Sequence, residues 1–136
     1  MNSLALAVVL QASLAAGASD YRTAHAASVD IGRPLVVLVG ADWCPGCRQM
    51  KYSAIPEVEK KGGLNNVNFV YLNSDEDSQL AGKLMKGGSI PQLIMYHKTD
   101  EGCKRQQLTG AQAVSEIERF IERGVDATVP KISSRQ

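Results

Sequence analysis

Apolar residues along the chain fall into short continuous runs separated by amphipathic stretches and by glycine or proline. The clearest run is Leu35–Val39 (LVVLV), five consecutive aliphatic residues between Pro34 and Gly40. Its length, branching and lack of polar alternation predict a strand buried on both faces. Val67–Leu72 (VNFVYL) and Gln92–Tyr96 (QLIMY) predict two further strands. The turn-rich KTDEG then leads into CKRQQLT, which predicts a hairpin partner for the third strand.

Between these runs the spacing is helical. The segment after Asp20, placed as an N-cap, carries small and apolar residues at helical intervals up to Gly32. Arg48 to Ser53 predicts a second helix, and Pro56 opens a separate piece that Gly62-Gly63 ends, since proline suits a first helical turn. Ser74-Asp75-Glu76-Asp77 supplies an N-cap and acidic residues for a helix reaching Lys86, before Gly87-Gly88. Ala113 to Arg123 presents Val114, Ile117, Phe120 and Ile121 on one face, with Gly124 as its stop. The order α-β-α-β-α-β-β-α implies an α/β fold: a mixed sheet of about four strands with helices on both faces.

The 136 residues suit one domain, and 44% hydrophobic with 21% charged residues is ordinary for a globular protein. A net charge of +1 with scattered basic residues gives no electrostatic footprint for nucleic acid. At the N-terminus, Leu4–Leu10 (LALAVVL) precedes Ala16-Gly17-Ala18, a small-x-small site of the kind a signal peptidase cuts. Met1-Asn2-Ser3 lacks the basic residues of a complete signal, and the run is shorter than the ~20 residues that span a bilayer. Residues 1–18 are therefore read as a signal peptide or an N-terminal helix, 19–124 as the domain and 125–136 as a flexible tail. With a cleaved signal the setting is periplasmic or secreted, without stable membrane insertion. Without one it is cytoplasmic.

The chemistry concentrates in GADWCPGCRQM, residues 40–50. Cys44 follows the strand and opens a helix, where unpaired N–H groups and the helix dipole favour a thiolate, the species that attacks disulfides. Cys47, three residues on, shares its helix face, so the pair can cycle between dithiol and disulfide. Pro45 fixes φ at the first helical position, and Gly46 leaves the second sulfur uncrowded. Two other uses of the pair compete with this one. A structural metal needs four ligands, and only Cys103, His25 and His97 remain, with no second spaced pair. A protein-binding module would use the site for docking alone.

Over residues 33–124 the chain resembles the thioredoxin-like fold family, through LVVLVGADWC, the CPGC motif, Ile90-Pro91 before a strand, and Leu108-Thr109-Gly110 before an amphipathic helix. The placing of Pro56 looks closer to periplasmic relatives than to small cytosolic thioredoxins. The resemblance implies a thiol-disulfide oxidoreductase that exchanges disulfides with protein substrates and a redox partner protein through transient mixed disulfides. Cys44 would be the nucleophile and Cys47 the resolving thiol. Trp43, Pro45, Gly46 and Pro91 would shape the site. Trp43, Ile90 and a cis Pro91 would meet the substrate, with Ile90 offering backbone. No cofactor or metal is implied beyond the redox-active Cys44–Cys47 disulfide, and a monomer is expected. Two departures stand out. The first is that the dipeptide between the cysteines is Pro-Gly, not Gly-Pro, a dipeptide that helps set the redox potential in the family. The second is the missing proton shuttle. Leu38 occupies the position of the family's buried aspartate and Tyr71 that of its lysine, so deprotonation of Cys47 needs water or another group.

The remaining candidates carry plainer expectations. Cys103 is expected as a lone surface or half-buried thiol, and His25 and His97 as surface or packing residues. Arg48 and Lys51 are expected on a solvated helix face, Met50 and Tyr52 in core or edge packing, and Asp42 directed to solvent.

Overall fold

The computed structural model describes residues 18–129, so the N-terminal candidate signal, apart from Ala18, and residues 130–136 lie outside the described residues. Helix α1 (Ala18–Ile31) precedes strand β1 (Leu35–Gly40). After the cysteine turn one continuous helical stretch follows, made of α2 (Pro45–Gln49), a π-helical turn (Met50–Ala54) and α3 (Ile55–Lys60). Then come β2 (Asn68–Asn73), α4 (Ser78–Leu84), β3 (Gln92–Thr99), β4 (Gly102–Thr109) and α5 (Val114–Ala127). The sheet order is β2-β1-β3-β4, with β1 parallel to β2 and antiparallel to β3, and β3 antiparallel to β4.

The central position of β1 explains its sequence. All six of its residues are buried, and alternate side chains feed two cores. Val36 and Leu38 pack with Met50, Ile55 and Val58 beneath α3, and with Ile117, Phe120 and Ile121 of α5. Leu35, Val37 and Val39 pack on the other face with Val70, Leu72 and Ile94, bordered by Tyr21 and Ala24 of α1 and by Leu80 and Leu84 of α4. A continuous apolar strand is what a sheet covered on both sides requires. β4 is an edge strand with mostly exposed or half-exposed positions, and Lys104 and Arg105 on it discourage pairing with another chain.

Three of the boundaries that differ from the sequence expectations have a physical reason. The helix after the cysteines does not stop before Pro56. The Ile55 N–H bonds back to the Met50 carbonyl, a π-type link that lets the helix pass a proline lacking its own donor. Asp20 lies inside the first turn of α1 rather than capping it. Gly124 does not end α5, which runs to Ala127. A Cβ at position 124 would run into the Met95 side chain, so glycine serves close helix–sheet packing there rather than termination. Residues 125–127, expected in the tail, are thus helical, and the Val129 N–H donates to the Lys98 carbonyl at 2.9 Å. Among the described residues no helix is long and apolar enough to cross a membrane.

Candidate active site

Strand β1 ends at Gly40, and Ala41, Asp42 and Trp43 turn the chain upward into Cys44, the N-cap of α2. The Cys44 carbonyl accepts from the Arg48 N–H at 3.0 Å, which starts the helix. The Cys44 sulfur takes the acceptor place that a serine or aspartate oxygen takes at an ordinary N-cap, receiving the Cys47 N–H at 3.2 Å. Such a donor serves a thiolate better than a thiol, as does the positive end of the helix dipole.

Cys44 and Cys47 are joined by a disulfide, with their Cα atoms 5.2 Å apart. Their exposures are unequal. Cys44 retains 6% of its surface and Cys47 only 1%. The first sulfur is the one an outside molecule can touch. Cys44 Sγ lies 3.8 Å from the Ile90 carbonyl oxygen, and the Ile90-Pro91 peptide bond is cis. Gly46 closes the other side of this junction. A Cβ there would lie 3.4 Å from both Pro91 Cδ and Ala111 Cβ, an ordinary contact, so the proline loop and Ala111 lie directly against this position. Pro45 occupies the first turn of α2. Cys44, Gly46 and Cys47 are therefore brought together with Ile90 and Pro91 from two separate parts of the chain.

Trp43 projects beside the pair, 68% exposed, and its indole Nε1 donates to Asp75 Oδ2 at 2.9 Å. Asp75 is itself fixed, because its N–H and that of Glu76 donate to Asn73 Oδ1 at 2.9 and 3.3 Å. Tyr52, expected in core or edge packing, is instead 67% exposed, since the π-helical turn carries it away from the sheet. Met50 is buried as expected, and its sulfur accepts the Gln112 N–H at 3.3 Å, tying the helix to the segment before α5. Arg48 and Asp42 face solvent. Lys51 does not simply face solvent. Its ammonium lies 4.0 Å from the centroid of the Tyr71 ring and 5.2 Å from that of Tyr52.

Residue-by-residue reading of the sequence missed two contributors. Gly40 is the floor under Cys47: a Cβ there would sit 2.9 Å from Cys47 Cβ and 3.1 Å from its sulfur. The fully buried Gln92 holds the proline loop. Its Oε1 accepts the Lys86 N–H at 3.3 Å, and its Nε2 donates to the carbonyls of Lys86, Gly87 and Ser89 at 3.0, 3.1 and 3.0 Å. A glutamine immediately after X-Pro at the start of an apolar strand is the one sequence signal that pointed there.

The other candidates lie away from the pair. His25 is exposed on α1, its ring 5.9 Å from that of Tyr21, and Cys103 is a free, exposed thiol on β4. His97 is buried on β3 with neither ring nitrogen bonded to a partner among the described residues. Burial, then the Lys104 ammonium opposite it, pushes its pKa down. No group of three or more His, Cys, Asp or Glu among the described residues is arranged to hold a metal ion.

Comparison with known proteins agrees with this geometry. The family model described as thioredoxin matches residues 19–123. The chain belongs to the thioredoxin family. It is 31% identical over 105 residues to the thiol:disulfide interchange protein TxlA homolog of Synechocystis, covering 76% of this chain. The chain spans about half the length of that relative (54%). Among solved structures, it superposes on thioredoxin from Thermus thermophilus with a TM-score of 0.62 at 20% identity, covering 76% of this chain and 82% of the other. Thioredoxin NaTrxh of Nicotiana alata gives 0.62 at 22% identity, with 79% and 86% covered. The mixed four-stranded sheet flanked by helices is the thioredoxin fold.

Proposed function

We propose that this member of the thioredoxin family is a thiol-disulfide oxidoreductase that exchanges disulfides with other proteins through Cys44 and Cys47. The observation that carries the reading is the disulfide at a strand-to-helix junction between two cysteines of unequal burial, Cys44 keeping 6% of its surface and Cys47 1%. The Cys44 thiolate attacks a partner's disulfide and forms a mixed disulfide, expelling one partner thiolate. Cys47, already on the same helix face, then attacks Cys44 Sγ, closes the internal disulfide and releases the second partner thiolate. The partner gains two electrons and the dithiol loses two, so the dithiol itself is the only redox group the cycle uses.

Trp43 gives a flat apolar contact for partner proteins, supported by its exposure beside Cys44 and by its anchoring to Asp75. Ile90 offers backbone to an extended partner segment next to Pro91, supported by the approach of its carbonyl to the Cys44 sulfur. The protein acts as a monomer on protein substrates. An extracytoplasmic setting rests on Leu4–Leu10 and Ala16-Gly17-Ala18 alone, and sequencing the N-terminus of the exported protein tests it.

The deciding experiment is reduction of a disulfide-bonded protein such as insulin, with dithiothreitol as electron source. The native chain accelerates it, Cys44→Ser does not, and Cys47→Ser accumulates a covalent mixed disulfide visible by mass spectrometry. Turnover that survives Cys47→Ser overturns the reading. Equilibration with glutathione then fixes the direction. A potential of about −270 mV means a reductant and one of about −120 mV an oxidant.

A further inference from the structure

The buried sulfur has a polar neighbour for which the exchange cycle has no use so far. Tyr71 on β2 pairs in register with Leu38 of β1, and its side chain runs along the same face towards Gly40. The point a Cβ of Gly40 would occupy lies 3.1 Å from Cys47 Sγ and 3.4 Å from the Tyr71 hydroxyl oxygen, so the sulfur and the hydroxyl border the same small space that the missing side chain leaves. Leu38, fully buried, gives no polar group beneath the pair. None of the hydrogen bonds among the described residues uses the Tyr71 hydroxyl.

The charged surroundings define what this hydroxyl can do. The Lys51 ammonium from the π-helical turn lies over the ring, a cation–π arrangement that steadies it. Burial first, and then Asp42 from the turn after β1, Tyr52 from the helix, and Glu76 and Asp75 from the segment after β2, push the phenol's pKa up to about 12. The phenol is therefore neutral near pH 7. It is a donor and not a base.

We infer that Tyr71 is a positioning residue for resolution: its hydroxyl donates a hydrogen bond to the Cys47 thiolate as that thiolate attacks the mixed disulfide on Cys44. The step balances without a further reagent. Cys47 releases its proton to water, and the thiolate electron pair forms the bond to Cys44 Sγ. The bond from Cys44 to the partner breaks, and the partner sulfur leaves as a thiolate that water protonates. Tyr71 keeps its proton throughout. It stabilises the reacting anion, as a hydrogen bond to a charged acceptor does. The inference rests on the proposed roles of Cys44 and Cys47.

The test is a titration, which does not depend on turnover. In the full chain with Cys103→Ser and Cys44→Ser, the single remaining thiol is Cys47, and ultraviolet thiolate absorbance follows its ionisation. Tyr71→Phe keeps the ring and its packing. It raises the Cys47 pKa by about one unit, roughly tenfold less thiolate at a given pH below it. Lys51→Gln, a change at a half-exposed site, raises it by less. The Cys44 thiol, titrated alone in Cys47→Ser with Cys103→Ser, does not move in either variant. In the intact dithiol, Tyr71→Phe slows release of the mixed disulfide about tenfold and leaves its formation unchanged. A Cys47 titration unaffected by Tyr71→Phe overturns the inference. So does an equal shift at Cys44, or a shift at Cys47 that Asp42→Asn produces and Tyr71→Phe does not. Failure of the native protein to reduce insulin would count against the exchange cycle, while the titration would still decide the role of the hydroxyl.

Discussion

A glycine at position 40 does for the site what no catalytic side chain does: it lets a sulfur lie directly on a β-strand. The Cys47 Cβ stands 2.9 Å from where a methyl group on that glycine would be, closer than real side-chain atoms approach, and the neighbour is a short, bonded cysteine rather than a flexible chain end. Gly40→Ala is expected to lift Cys47 and the first turn of α2 by a fraction of an ångström. Misplacement on that scale lowers the rate of insulin reduction by about tenfold to a hundredfold, measurable beside an unchanged circular dichroism spectrum. His97 gives a second prediction, in stability. Its pKa is lowered on folding, so the unfolded chain binds the proton more readily. Its contribution is intact above the unfolded value of about 6.5 and is lost as pH falls from there towards the lowered native value. A denaturation midpoint that is level above pH ~7 and falls below pH ~6.5 is expected. His97→Leu removes that step and, by removing buried nitrogens that lack partners among the described residues, adds about 1 kcal/mol.

At the scale of elements, the loop Lys86–Pro91 depends on Gln92 more than on any contact of its own. Four hydrogen bonds from one buried amide hold it, three of them to its carbonyls. Gln92→Met keeps the volume but leaves those groups without their partner. A loss of about 2–3 kcal/mol in guanidinium unfolding is expected, since each unsatisfied buried group costs about 1–3 kcal/mol and some regain water. The helix carrying the cysteines illustrates what periodicity hides. Pro56 suggested a new start because a proline cannot continue an α-helical ladder. One π-type link to Met50 instead carries the helix through it, and with that shift Tyr52 turns outward. Such a choice depends on what α3 packs against, and a local sequence window does not contain it.

For the whole molecule, the strands were legible because a doubly covered sheet needs apolar runs, and Leu35–Val39, Val67–Leu72 and Gln92–Tyr96 are such runs. The cysteine pair was legible because its chemistry is local to four residues. The floor beneath it was not, because Gly40, Tyr71 and Lys51 meet only through the register of β1 against β2 and the packing of a helix over both. Side chains that act together across strands leave no shared pattern in the order of residues. The oxidised and reduced forms should share this fold. In the chain-entropy description a disulfide closing so short a loop stabilises the folded state by about 2 kcal/mol. Unfolding with and without dithiothreitol should therefore differ by about that amount, with overlapping folded-state spectra. A much larger gap would mean that reduction loosens α2.

If partners dock beside Pro91 as proposed, the clamp on the proline loop also bears on how quickly they are met. A segment tethered by a side chain from behind lost its freedom when the chain folded, so an arriving peptide has only its own disorder to surrender. Encounters that require no rearrangement of the receiving surface proceed at ordinary docking rates of about 10⁵–10⁷ M⁻¹s⁻¹. Selection among partners then falls to the lifetime of the encounter rather than to its frequency.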